Sequence, residues 1–194
     1  GQGRQDLRAF WAWLMDELIK NGAHIDNFIL GNEANAPGHW HYSGTDDENT
    51  CADMYATAFY DMYEEVRKVT NVSRCSICVD HSLNNYGEGS FPARNFIRLV
   101  NDRLTSAHGN VDWCVSMHLY PAMLYETRIW TEPEGLNSPS QDARIVDGRN
   151  LSYITSYLKD TYGENHRVML TEQGFTRACG EDNQAAALAY TYYA

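Results

Sequence analysis

Amphipathic helical segments and short apolar runs alternate along the whole chain, and this order constrains the fold more than any other feature. The first segment, Gln5–Lys20, spaces Leu7, Phe10, Trp11, Leu14, Met15, Leu18 and Ile19 as one face of a helix, and Gly22 supplies a stop. A strand Asn27–Asn32 follows, then a helix from about Ala52 to Lys68 with Tyr55, Ala58, Phe59, Met62, Tyr63 and Val66 inward. The run "SRCSICVDHS" from Ser73 reads as a strand, and Ser90 with Pro92 signals the start of a third helix. A strand in "VDWCVSMHLYP" from Val111, a helix near Leu151–Asp160, a strand in "RVMLTEQGF" from Arg167 and a helix from about Asp182 complete the series. Such alternation predicts a parallel sheet with right-handed crossovers, in a barrel or an open doubly wound sheet. With 194 residues the chain suffices for one domain, 1–194, with its own core.

No G-x-G-x-x-G or P-loop follows any strand, which removes the main sequence argument for a nucleotide-binding sheet. Connections from helix into strand are short, as in Asn21–Asp26, Val69–Val72 and Thr161–His166, whereas those from strand into helix are longer, notably Ala34–Thr50 and Pro121–Gly148. The unusual polar residues follow the same asymmetry. Asn32-Glu33, Asp80-His81-Ser82, His118-Leu119-Tyr120 and Glu172-Gln173 all fall where a strand gives way to its loop. In barrels of alternating strands and helices that end carries the active site.

Charge narrows the partners. The net charge of −11 and the absence of any basic run disfavour nucleic acid and anionic membranes, which need clustered Lys and Arg. No apolar stretch is long enough to span a bilayer. The cysteines Cys51, Cys75, Cys78, Cys114 and Cys179 form an odd set, and Cys75-x-x-Cys78 lies in a strand with no second pair at zinc spacing, so plain buried thiols are expected there. The sequons at Asn71 and Asn150 read as chance occurrences.

Strict alternation puts Glu33 on the side of Gly31 and Ile29, and Glu172 on the side of Leu170 and Val168, so that both point into a barrel lumen. Two carboxyls across a small site suggest glycoside hydrolysis, with burial and mutual repulsion keeping one protonated. A single Glu at a strand end would more simply cap a loop or join an ion pair; two, each after an apolar strand, argue otherwise. Trp40, flanked by His39 and His41, and Trp130 sit in rim loops where indoles stack on sugars or plug a loop onto the barrel. Of the neighbours Asp80 and His81 only one is expected to face the lumen, His81 as a ligand and Asp80 as a cap.

The motifs "GNEAN" and "LTEQGF", with two strands between them, resemble the retaining glycoside hydrolases of the clan A (β/α)8 superfamily. Together with "FILGNE", "VDHS" and "HLYP", they also resemble a bacterial barrel family of unknown function, over nearly the full chain. The resemblance implies Glu33 as acid/base, Glu172 as nucleophile and Asn32 as a partner of the sugar 2-hydroxyl, with His118 or Tyr120 orienting Glu172 and Gln173 beside the substrate. It implies an oligosaccharide or polysaccharide substrate, no cofactor and no metal, and a bacterial exported enzyme.

Two rivals use other chemistry. A metal hydrolase would draw on His39, His41, His81, His118, Glu33 and Glu172, although the H-x-H lies in a Pro/Gly-rich loop. A non-catalytic glycan-binding module would need the aromatics without both Glu. A closed barrel has eight strands and this chain has four, running by family count from the third helix to the seventh, so the expected fold is an incomplete (β/α)8 barrel. Its open edges invite a second copy or the remaining barrel portion.

Overall fold

The computed structural model describes residues 1–84 and 89–194. Its elements run α1 (Gln2–Lys20), β1 (Asn27–Leu30), α2 (Glu48–Arg67), β2 (Arg74–Val79), α3 (Ala93–His108), β3 (Trp113–Leu119), a 3-10 turn (Pro133–Gly135), α4 (Leu151–Tyr162), β4 (Val168–Gln173) and α5 (Glu181–Tyr193). The four strands pair in parallel in the order β1-β2-β3-β4. The predicted alternation and the long strand-to-helix connections are both present. The helix α2 starts earlier than its periodicity suggested because Asp47 caps it, accepting the Thr50 N–H at 2.7 Å.

One face of the sheet is packed by helices. Cys75, Ile77 and Val79 of β2 and Trp113, Val115, Met117 and Leu119 of β3 meet Phe59, Met62 and Val66 of α2 and Phe96, Val100 and Leu104 of α3 in one cluster. The opposite face carries Ser76, Cys78, Ser116 and His118, the alternate residues of β2 and β3. A flat sheet would set its outer strands about 14 Å apart, yet donor atoms of Glu33 after β1, His118 of β3 and Glu172 of β4 all lie within 4.8 Å of one another. The sheet is therefore curled, a half-barrel with this polar face inside.

The helix α1 corrects one expectation. Only Met15 of its apolar face is buried; Phe10 and Ile19 are about half exposed, as is Trp13. The helix packs on α2 and is pinned there by Arg4, whose Nε and Nη2 donate to the buried Asp61 carboxylate at 2.7 and 2.9 Å. Leu7, Trp11, Leu14 and Leu18 are half-buried, and Trp11 and Leu18 pack against the main core. Among the described residues, no helix is long and apolar enough to cross a membrane.

The strand β1 stops at Leu30, two residues short of expectation, and the reason is local. Leu30 pairs with Ile77, but the next rung is filled by a side chain from α2. The Tyr55 hydroxyl donates to the Leu30 carbonyl at 2.8 Å and accepts the Cys78 N–H at 3.1 Å. Released from the ladder, the chain turns through Gly31 (φ 70°) and Glu33 (φ 41°), then rejoins β2 where the Ala34 N–H donates to the Cys78 carbonyl at 2.8 Å. At Gly31 a side chain would also press on the His41 ring. Removing the hydroxyl in Tyr55→Phe leaves two backbone groups unpaired and should lower stability by about 1–3 kcal/mol. Urea unfolding checks this; a loss below a few tenths would mean the hydroxyl does not bridge the strands.

Candidate active site

Glu33 is buried, and its Oε1 accepts from His118 Nδ1 at 2.8 Å. The same Nδ1 lies 3.7 Å from Glu172 Oε2. Glu172 is more open, its side chain 47% exposed against 9% for Glu33, and its Oε1 accepts the Tyr120 hydroxyl at 2.6 Å. The other ring nitrogen of His118, Nε2, sits 3.5 Å from the Cys78 sulfur, which also accepts the Glu33 N–H at 3.3 Å. Two carboxylates thus meet over a buried imidazole.

The convergence contradicts the alternation used to predict it. Val168 and Leu170 pair with Val115 and Met117 on the helix-packed face, so an unbroken β4 would send Glu172 there too. The register shifts between Met117 and His118, leaving Thr171 as an extra residue and pairing Glu172 with His118 on the inner face. Gln173 then pairs with Leu119, on the other side of the sheet, and does not line the cleft.

A cleft of about 430 Å³ is lined by Asn32, Glu33, Trp40, Asp80, His81, Tyr120, Leu124 and Glu172. Of the seven residues expected here besides the catalytic pair, Asn32, Trp40, His81 and Tyr120 reach this rim. Trp130 does not; its loop is anchored through the buried Ile129 and turns it elsewhere. His118 also does not line the cleft, because it is buried beneath the carboxylates as their support. Asp80 and His81 both border it, since β2 ends at Val79 and alternation ends with it. Asp80 is fully engaged, accepting from Asn35 Nδ2 at 2.6 Å, the Ser82 N–H at 2.9 Å and the hydroxyls of Ser82 and Ser90 at 3.1 and 2.8 Å. It caps the loop, as expected. His81 Nδ1 lies 3.1 Å from the Tyr120 carbonyl, which can only accept, so Nδ1 carries the proton, and among the described residues Nε2 has no hydrogen-bond partner.

Sequence reading missed Cys78, Tyr55, Asn35 and Leu124. Cys78 was visible only as half of a C-x-x-C whose members prove to lie on opposite faces of β2, both buried and free. Asn35 stands in the GNEAN motif, but its bonds to Asp80 and the Phe91 carbonyl join segments distant in sequence.

Glu33, His118 and Glu172 are also the described residues whose donor atoms could meet on one ion. His39 and His41 are not in that group. The His118 Nδ1 proton is already engaged by Glu33, and an ion would have to displace it. Burial of the His118 ring opposes its charging, but hydrogen bonds to the Cys78 sulfur and Glu33, with the charges of Cys78 and Glu172, outweigh this and push its pKa up to about 10. The hydrogen bond to Glu172, reinforced by burial, raises Tyr120 to about 12 and keeps it a donor.

The raised His118 value implies a pH-dependent stability. Its ordinary value is 6.5 and its folded value about 10, so the protonated ring contributes fully below the former and is lost as pH rises through the latter. The urea midpoint of the wild type should fall across that window relative to His118→Gln. Parallel pH profiles for the two proteins would contradict the raised value of the ring.

No curated protein matches the chain. A family model described as "Family of unknown function (DUF5722)" matches residues 1–194, the whole of the sequence whose strand ends build this cleft, and the chain belongs to that family.

Proposed function

We propose that the cleft hydrolyses a glycosidic bond with retention of configuration, with Glu33 as acid/base and Glu172 as nucleophile. The observation that carries this reading is the convergence of the two carboxylates over one cleft: one oxygen of each lies within 4.8 Å of the other. Such close approach favours the short carboxyl spacing of retaining enzymes, about 5–5.5 Å, over the about 6.5–9.5 Å that admits a water in inverting ones.

The chemistry then follows the hydrogen bonds. Tyr120 holds one oxygen of Glu172, leaving Oε2 to form the bond to the anomeric carbon while the leaving oxygen takes a proton from Glu33. His118 holds Glu33 at Oε1, and among the described residues no hydrogen bond holds Oε2, which is the oxygen free to exchange protons with the leaving group. Donation leaves Glu33 negative beside the cationic ring, where that charge is stabilised. Glu33 then takes a proton from the water that releases the sugar from Glu172. Asn32 is placed on the rim for a sugar hydroxyl, and Trp40 offers an exposed indole for stacking against an oligosaccharide or polysaccharide.

The curled sheet supports a (β/α)8 barrel as the complete architecture. The outer edges of β1 and β4 are unpaired among the described strands, and further strands or a second copy of the chain are the natural cover for them. A metal hydrolase is the second reading, favoured by the three converging donors.

Glu33→Gln and Glu172→Gln should each lower kcat on 4-nitrophenyl glycosides by at least about 10³-fold, and azide should rescue the Glu172→Ala variant with an altered anomeric product. EDTA should leave the rate unchanged. Full activity in either Gln variant overturns the proposal, and loss on chelation transfers the site to the metal reading.

A further inference from the structure

The sulfur of Cys78 takes part in a closed circuit around Glu33. It accepts the Glu33 N–H at 3.3 Å and lies 3.5 Å from His118 Nε2, while Nδ1 of the same ring holds Glu33 Oε1 at 2.8 Å. Main chain and carboxylate of one residue are therefore gripped from the two ends of a single path, sulfur to ring to carboxylate. The Cys78 backbone tightens it: its carbonyl takes the next amide, Ala34, at 2.8 Å, and its N–H is held by Tyr55. Glu33 needs such a grip, because it sits at φ 41°, a left-handed conformation that a non-glycine residue keeps only when its surroundings over-determine it. Cys78 itself is 1% exposed and absent from the cleft lining, so it does not meet substrate.

We infer that Cys78 is a positioning residue of the cleft, whose sulfur fixes the orientation of His118 and, through that ring and the Glu33 amide, the reach of the Glu33 carboxylate. A plain core thiol would have no such consequence. Cys75, three residues earlier on the same strand, provides the contrast: it faces the helix-packed core and touches none of the carboxylate partners.

The role rests on the glycosidase reading only for its kinetic arm. In the spectroscopic arm, the ¹⁵N-labelled protein is observed at neutral pH through the His118 Nε2–H resonance. Cys78→Ala should lose that signal to exchange with water, Cys78→Ser should retain it in part because a hydroxyl still accepts, and Cys75→Ala should leave it in place. In the kinetic arm, Cys78→Ala should lower kcat on 4-nitrophenyl glycosides about 10- to 100-fold with KM within about twofold, the pattern of a displaced catalytic group. An unchanged Nε2–H signal in Cys78→Ala, or equal loss in the Ala and Ser variants, overturns the inference. Wild type that hydrolyses no glycoside overturns the proposed function while the spectroscopic arm still decides the role of Cys78.

Discussion

Side chains on a strand alternate between two faces, and a parallel sheet packed by helices on one face leaves only every second residue for the other. That constraint governs this molecule. To set Glu33 against Glu172, the chain breaks the alternation twice, at opposite edges of the sheet. After β1 the break is a left-handed turn through Gly31 and Glu33, opened by the Tyr55 hydroxyl inserted between Leu30 and Cys78. In β4 it is the register shift that leaves Thr171 over and turns Glu172 beside His118. The bulge sits next to the site, where such irregularities re-aim side chains.

The two carboxylates are not equivalent. Glu33 is buried and bound to His118, whereas Glu172 is half exposed and bound to Tyr120, whose phenol stays protonated well above neutrality. One imidazole lies against both, and its charge is favoured by its hydrogen bonds to the Cys78 sulfur and Glu33 and by the nearby Glu172. Different environments for paired carboxyls are the means by which a site separates two roles. The supporting shell is drawn from α2, β2 and β3, which are the most buried parts of the sheet and its helices, so the pair stands on rigid elements.

Much of the architecture was legible in the chain because it follows from periodicity. Helix faces, strand order and the long loops at one sheet end are local patterns, and they put Asn32, Glu33, His81, Tyr120 and Glu172 at the same rim. The failures were of two physical kinds. Phe10 and Ile19 satisfy a helical face but remain exposed, since spacing shows which residues could be covered and not whether a neighbour covers them. Gln173 was placed beside the substrate and His118 against Glu172 by the resemblance, and Trp130 by its rim loop; a one-residue shift, burial beneath the carboxylates and a loop path keep them off the cleft.

The sequence by itself determined a parallel α/β arrangement and a polar rim containing both glutamates, because those depend on the kind and spacing of neighbouring residues. Only the tertiary structure decided that the glutamates face each other, that His118 belongs to Glu33 and Tyr120 to Glu172, and that Cys78 stands behind them. These depend on curl, register and a side chain inserted into a ladder. Each is set by contacts between segments far apart in the chain, for which no local pattern exists.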